Sequence, residues 1–105
     1  MKRFVVSKNA SVRIDNIYQY TVKQWGESQA ELYIEGLFSH FDNIVSGNVT
    51  LKPIPAEFVV EGLVSRYEQY YVYSKHLSDS QVGIVTILHE KMHQIERFAD
   101  DFNLE

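Results

Sequence analysis

Residues 82–93 have the sequence VGIVTILHEKMH, and their first half decides the fold. In an extended chain, alternate side chains point to opposite faces of a sheet. One face would then carry Val82, Ile84, Thr86 and Leu88, and the other Gly83, Val85, Ile87 and His89. Because both faces are mainly apolar, the segment is predicted to be a central strand.

The second half of this stretch, from His89 to His93, also matches the zinc-binding pattern H-E-x-x-H. That pattern needs both histidines on one face of a helix, a third protein ligand and an open position for water. No histidine follows His93, and a strand that ends at His89 would interrupt the helix. We therefore expect neither a metal site nor any other cofactor.

Length and composition indicate one small domain. A chain of 105 residues can bury a single core, and its aromatic content of 13% favours a packed fold over disorder. The absence of cysteine excludes disulfides and thiolate metal sites. The first apolar run, Phe4 to Val6, is too short for a signal peptide or a membrane span, so we expect a cytoplasmic protein without membrane association. The net charge of -4, without a long basic block, argues against sequence-specific DNA binding through a basic face.

Two apolar stripes with helical spacing follow a predicted opening strand at residues 2–7. The first consists of Ala10, Ile14, Ile17, Thr21 and Trp25, and the second of Ala30, Tyr33, Ile34, Leu37, Phe41, Ile44 and Val45. Ser7 is a suitable N-cap, and Gly26 and Gly47 are suitable ends for the two helices. We expect an antiparallel helical hairpin, with Trp25 packed in the core beneath its turn.

The second half of the chain is predicted to be mainly strand. After a loop at residues 47–56, the segments 57–61 and 67–77 are rich in β-forming residues and precede the strand at 82–89. A short amphipathic helix is expected from Met92 onward. The sequence therefore predicts an α+β fold, with an N-terminal strand, an antiparallel helical hairpin, a three-stranded antiparallel meander and a short C-terminal helix.

Two groups of residues carry a resemblance to a known family. The first is Ser7, Ala10, Asp15, Asn16, Ile17, Tyr20, Trp25, Gly26, Gln29, Ala30, Tyr33 and Leu37, and the second is Tyr71, Val72 and Tyr73 with residues 84–92, IVTILHEKM. They resemble the helical hairpin, the last two strands and the I-L-H-x-x-M ending of the RelE/ParE toxin superfamily, in particular its ParE-like branch. The resemblance implies the toxin of a type II toxin-antitoxin module, which a cognate antitoxin neutralises. ParE-like members are associated with DNA gyrase, and RelE-like members with messenger RNA cleavage on the ribosome.

The ribonuclease alternative needs groups that activate the ribose 2'-hydroxyl, stabilise the phosphate and protonate the leaving oxygen. RelE-like members commonly end the relevant strand with Tyr-Arg, whereas residues 73–76 here are YSKH. His76, His89 and Arg66 are the weak catalytic candidates that are left. The resemblance therefore favours a non-enzymatic inhibitor of DNA gyrase. A member that binds its antitoxin but poisons no target stays a further alternative.

Two binding surfaces are predicted. The candidates for binding gyrase are His89, Lys91, His93 and Arg97, which we expect beside the end of the preceding strand; an ordinary solvated helix face explains the same residues equally well. The candidates for an antitoxin groove are Tyr33, Leu37, Phe41 and Phe58, where the hairpin meets the sheet edge. Such a groove is expected to hold a helix or an extended strand of the antitoxin.

Overall fold

The computed structural model describes residues 3–58, 61–78, 81–92, 94 and 96–97. The elements in chain order are β1 (Arg3–Val6), α1 (Lys8–Trp25), α2 (Glu27–Ser46), β2 (Lys52–Pro53), a short 3-10 helix (Ala56–Phe58), β3 (Leu63–Tyr67), β4 (Tyr70–Ser78) and β5 (Gln81–His89). This arrangement confirms the predicted α+β class. None of the helices in the described part of the chain has an apolar stretch long enough to cross a lipid bilayer.

The strands form a five-stranded mixed sheet in the order β1-β5-β4-β3-β2. β1 runs parallel to β5, and the other neighbouring pairs are antiparallel. All residues of β5 from Val82 to Leu88 are buried. The prediction of a central strand for this stretch is therefore confirmed.

Caps at the helix ends fix the path of the hairpin. The Ser7 hydroxyl oxygen accepts a hydrogen bond from the Ala10 N–H at 3.0 Å, and the same hydroxyl donates to the Val85 carbonyl at 2.7 Å. The start of α1 is thus tied directly to β5. Gly26, at φ 91°, and Gly47, at φ 79°, end the two helices in a conformation that favours glycine. These three predicted caps are confirmed.

The apolar residues form clusters on both faces of the sheet. On the helix side, the core consists of Ala10, Ile14, Ile17, Leu37, Phe41, Ile44, Val72, Val82, Ile84 and Ile87. On the opposite face, Ile54, Tyr73, Val85 and Leu88 form a second cluster, with Phe58, Val64 and Tyr71 packed against it. Both predicted helical stripes are thus confirmed as core, except at Trp25.

The predicted strand at residues 57–61 is wrong at its described positions, and residues 59–60 lie outside the described residues. Ala56–Phe58 forms a 3-10 helix, Glu61 is not in a strand, and the strand lies further along at Leu63–Tyr67. β3 and β4 are joined by the tight turn Glu68-Gln69, in which Glu68 adopts a positive φ of 53°. Neither residue is a typical former of such a turn, so the hairpin was hidden inside the predicted strand at 67–77. The predicted loop at 47–56 likewise contains the two-residue edge strand β2.

The strict alternation predicted for residues 82–89 is also wrong. Tyr73 pairs with Thr86 but the next residue, Ser74, pairs with Ile84, so Val85 is an extra residue in β5. This bulge shifts the alternation by one position. Ile84 and Ile87 consequently both face the helices, while Val85 and Leu88 face the second cluster.

The predicted C-terminal helix is described in part. Met92 is in a bend, Gln94, Glu96 and Arg97 are helical, and the other residues of the predicted helix lie outside the described residues. Gln94 contacts the sheet, because the Tyr73 hydroxyl donates to its Oε1 at 2.8 Å and its Nε2 donates to the His89 carbonyl at 2.6 Å. The described end of the chain is therefore anchored to β4 and β5.

Candidate functional site

His89 is the last residue of β5 and is held in a fixed orientation. It lies opposite Tyr70 in the β4–β5 ladder, and the two rings make an edge contact with centroids 5.1 Å apart. Its Nδ1 accepts a hydrogen bond from the Lys91 N–H at 3.1 Å. We predicted that His89 lies beside the end of the preceding strand, but its partner Tyr70 is the first residue of β4. This correction follows from the antiparallel pairing, in which the end of one strand meets the start of the other.

Two clefts border His89 on the helix side of the sheet. One, of about 340 Å³, is lined by Arg13, Asn16, Ile17, Tyr20, Tyr70, Ile87, His89 and Met92. The other, of about 310 Å³, is lined by Tyr20, Thr21, Trp25, Tyr33, Gln69, Tyr70, His89, Glu90 and Lys91. We define the His89 surface as Arg13, Tyr20, Trp25, Tyr70, His89 and Lys91. It joins one helix of the hairpin to the ends of two strands.

Trp25 and Tyr20 are the most exposed aromatic residues of the His89 surface. Trp25 is 72% exposed and Tyr20 is 59% exposed. The prediction that Trp25 is a core anchor is therefore wrong. Trp25 is the last residue of α1, where it borders a cleft and not the core. Trp25 and Tyr20 line the same cleft, and a group of exposed aromatic side chains is a candidate binding surface.

The predicted target-binding residues are only partly brought together. His89 and Lys91 belong to the His89 surface, and Lys91 is exposed. Arg97 is also exposed but does not line either cleft, and His93 lies outside the described residues. Sequence reasoning missed Arg13 and Tyr20, which lie on α1. Arg13 is half-buried and Tyr20 is exposed, and neither lies in the apolar stripe of α1, so the sequence gives no signal for them until α1 is packed against β5.

Two of the three catalytic candidates, His76 and His89, lie far apart along the β4–β5 ladder. His76 pairs with Val82 near the end of β4 and the start of β5, whereas His89 pairs with Tyr70 at the other end of both strands. Tyr70 and His76 are six positions apart in β4, which corresponds to about 20 Å along the strand. His76 and His89 therefore do not act on one substrate group together.

Arg66 lies on the sheet face opposite the helices and is engaged by other groups. It forms an ion pair with Glu90, its Nε donates to the Glu68 carbonyl at 2.9 Å, and its guanidinium carbon lies 5.4 Å from the centre of the Tyr71 ring. On the same face, burial raises the pKa of Tyr73 to about 12, with a further contribution from Tyr71. The Tyr73 hydroxyl consequently remains protonated at physiological pH.

The predicted antitoxin groove is not formed by the residues assigned to it. Leu37 and Phe41 are 1% and 0% exposed, so they belong to the core and present no surface to a partner. Tyr33 is half-buried on the helix side, whereas Phe58 packs on Tyr73 on the opposite face, with ring centroids 5.7 Å apart. The apolar stripe of α2 correctly predicted that Leu37 and Phe41 are buried. Their burial excludes the direct contact with an antitoxin that was proposed for them.

One buried polar pair, His40 and Ser65, was not predicted from the sequence. His40 Nε2 lies 2.8 Å from the Ser65 hydroxyl oxygen, and the two residues are 8% and 5% exposed. Burial lowers the pKa of His40, so its ring is neutral near pH 7. The sequence does contain a signal for this pair, because His40 lies in the apolar stripe of α2. Leu37 lies three residues before it, and Phe41 and Ile44 lie one and four residues after it. The pair ties α2 to β3.

The zinc-binding pattern does not have the required local structure. His89 ends a strand, and Glu90 and Lys91 form a turn, so these residues are not on a helix. Among the described residues, no group of three histidine or carboxylate side chains is close enough to hold a metal ion. The segment is therefore a junction between the sheet and the following helical residues.

Comparison with known proteins gives one consistent result. A family model described as the ParE toxin of the type II toxin-antitoxin system parDE matches residues 4–94. Toxin ParE of Escherichia coli is 27% identical over 100 residues, which cover 95% of this chain and 96% of the relative. A solved structure described as the chromosomal ParDE TA system from P. aeruginosa superposes with a TM-score of 0.64 and 16% identity, over 85% of this chain and 96% of that chain. The structural likeness shows the shared fold, and the family match extends over nearly all of the strands and helices.

Proposed function

Because the chain belongs to the ParE toxin family of type II toxin-antitoxin systems, we propose that it inhibits DNA gyrase and that a cognate antitoxin neutralises it in the cytoplasm. The observation that carries the proposal is the His89 surface. Inhibition of this kind needs a surface that docks on the target enzyme, and it needs no catalytic group in the toxin itself.

The His89 surface has the chemistry of a docking site. Trp25 and Tyr20 offer large exposed rings, and Arg13 and Lys91 add cationic groups beside them. Tryptophan, tyrosine and arginine are the residues that most often dominate binding energy in protein interfaces. His89 is rigidly placed between these groups by Tyr70 and by its bond from the Lys91 N–H. A rigid centre reduces the entropy that is lost on binding.

A gyrase assay tests this proposal. The purified toxin is expected to convert supercoiled plasmid into cleaved, gyrase-linked forms. The double variant Tyr20→Ala/Trp25→Ala and the triple variant His89→Ala/Lys91→Ala/His93→Ala should lose this activity while keeping their helical circular dichroism. Leu32, which is 60% exposed and lines neither cleft, supplies the matched control Leu32→Ala, which should remain active.

Three outcomes would redirect the proposal. Full activity of both surface variants would show that the docking surface is elsewhere on the molecule. Cleavage of translated messenger RNA without any effect on gyrase would favour the ribonuclease alternative, which the separation of His76 from His89 disfavours. Normal growth of cells that express the toxin without its antitoxin would favour a member that binds its antitoxin but poisons no target.

A further inference from the structure

The two clefts of the His89 surface share an aromatic wall. Tyr20, Tyr70 and His89 line both clefts, and Trp25 lines the smaller one. The rings of Tyr70 and His89 are held in an edge contact, whereas Tyr20 and Trp25 are more than half exposed to solvent. Exposed aromatic rings are surfaces on which nucleobases stack, because every base has a flat π-face. The wall therefore suits a flat aromatic ligand.

Each cleft also has a cation of its own. Arg13 lines the larger cleft and Lys91 the smaller one, so the two cations lie on either side of the shared aromatic wall. Glu90 is the one carboxylate among the described residues that line the clefts, and it forms an ion pair with Arg66. The local charge consequently favours an anionic ligand, although the net charge of the chain is -4.

His89 provides a hydrogen-bond donor in the middle of this wall. Its Nδ1 accepts the hydrogen bond from the Lys91 N–H, so the neutral ring carries its proton on Nε2. Gln69 is exposed, lines the smaller cleft and adds an amide with both donor and acceptor atoms. Groups of this kind bind the polar edge of an unpaired base.

The combination of rings and cations favours an unpaired nucleotide strand over a protein segment. An acidic protein segment would use the cations but not the rings, and a cationic anchor would use the rings but not the cations. A nucleotide strand uses both, through its bases and its phosphates. In a duplex the base faces are stacked on one another, so only unpaired nucleotides reach the rings. Each cleft, of about 340 and 310 Å³, has the size of a pocket for one small ligand.

We propose that the His89 surface binds a short unpaired nucleotide segment, with a base stacked on Trp25 or Tyr20 and phosphates beside Lys91 and Arg13. The source of the segment rests on the proposed function, under which it is part of the DNA that gyrase cleaves. The site itself rests on the exposed rings, the two cations and the donor of His89. Stacking and phosphate contacts do not depend on base identity, so binding is not sequence-specific.

The single tryptophan of the chain reports on this site directly. Trp25 is that tryptophan, and a base stacked on its ring quenches its fluorescence. Titration of the full chain with single-stranded hexathymidylate, without gyrase, should give saturable quenching. An abasic hexamer with the same phosphates should bind about tenfold more weakly, or by about 1.4 kcal/mol, because it has no bases to stack.

The salt dependence of binding measures the phosphate contacts. Each phosphate contact to a single strand contributes about -0.7 to the slope of log affinity against log salt concentration, so two contacts give about -1.4. Lys91→Ala should weaken binding and reduce the slope to about -0.7. Lys8→Ala is the matched control, because Lys8 is an exposed lysine at the start of α1 that lines neither cleft; it should change neither quantity.

A second pair of variants separates stacking from simple apolar contact. Binding of a dye-labelled hexathymidylate, followed by fluorescence anisotropy, should be largely retained by Trp25→Phe, which keeps an aromatic ring. Trp25→Leu keeps an apolar side chain without a ring and should bind about tenfold more weakly. Trp25 is 72% exposed, so both variants should keep the melting temperature of the natural protein.

The proposal is overturned if millimolar hexathymidylate causes no quenching, if the abasic hexamer binds equally well, or if Trp25→Leu binds as tightly as Trp25→Phe. It is also overturned if the oligonucleotide does not bind while Trp25→Leu weakens binding to gyrase without DNA, since the occupant would then be a protein. The plasmid assay tests the proposed function separately. Oligonucleotide binding by a chain that leaves gyrase unaffected would support the site and contradict the proposed function.

Discussion

The hydroxyl group of Tyr33 is buried without a hydrogen-bond partner among the described residues. Burial, together with the neighbouring Tyr70 and Tyr67, raises the pKa of this hydroxyl well above its ordinary value. Its neighbour Tyr67 is different, because the Tyr67 hydroxyl donates to the Tyr33 carbonyl at 2.9 Å. The two rings are in edge contact, with centroids 5.3 Å apart. These adjacent tyrosines therefore provide a matched pair in which only one hydroxyl contributes a hydrogen bond.

Removal of each hydroxyl should change stability in opposite directions. Tyr33→Phe is expected to raise the free energy of unfolding by up to about 1 kcal/mol, because a buried polar group without a partner is destabilising. Tyr67→Phe should lower it by about 1 kcal/mol through loss of a hydrogen bond. Urea denaturation followed by circular dichroism measures both changes. Equal destabilisation by the two substitutions would show that the Tyr33 hydroxyl has a partner in solution.

At the scale of elements, α2 contacts β3 at a glycine. A Cβ on Gly36 would overlap the Tyr67 hydroxyl and lie 3.3 Å from Tyr67 Cζ. Gly36→Ala would otherwise favour the helix by about 1 kcal/mol. We expect the overlap to dominate and the variant to be destabilised by about 1–2 kcal/mol, as for other overpacked sites. In a Tyr67→Phe background the same substitution should cost less, because the overlapping oxygen is gone. A double-mutant cycle measured by urea denaturation checks this, and an identical cost in both backgrounds would contradict it.

The helices were more predictable than the strands for a physical reason. Each helix has a complete apolar stripe and a glycine at its end, and both features are local in sequence. Strand limits depend on the partner strand, so residues 57–61 and Leu63–Tyr67 look equally suitable until pairing with β4 selects the second. The bulge at Val85 is also a property of the pair, since it arises from one residue more in β5 than in β4.

At the scale of the whole molecule, the candidate surface combines residues that are far apart in the chain. His89 and Lys91 were predicted from the last strand, but Arg13, Tyr20 and Trp25 come from α1 and reach them through packing of α1 on β5. The apolar stripe of α1 predicts that Trp25 is buried, because the stripe continues to the last residue of the helix. The core does not extend that far, so Trp25 is exposed. Sequence patterns therefore did not predict which residues of separate elements come together in one surface.

The global stability of the molecule should depend on pH through His40, because its ring is buried in the folded chain. Burial lowers the pKa of His40 in the folded state, so the unfolded chain, with an ordinary value of about 6.5, binds the proton more tightly. The contribution of neutral His40 to stability is therefore complete above about pH 6.5 and is lost as the pH falls toward the folded-state pKa. One proton limits the slope to about 1.4 kcal/mol per pH unit.

Free energies of unfolding in urea at pH 7.5 and pH 5.5 measure this dependence. His40→Gln removes the titrating ring, so its loss of stability between the two pH values should be smaller than that of the natural protein. Ser65→Ala removes the hydrogen-bond partner but retains the buried ring; it should be less stable at both pH values while the pH dependence persists. The same pH dependence in His40→Gln and in the natural protein would show that other groups control the acid sensitivity of the fold.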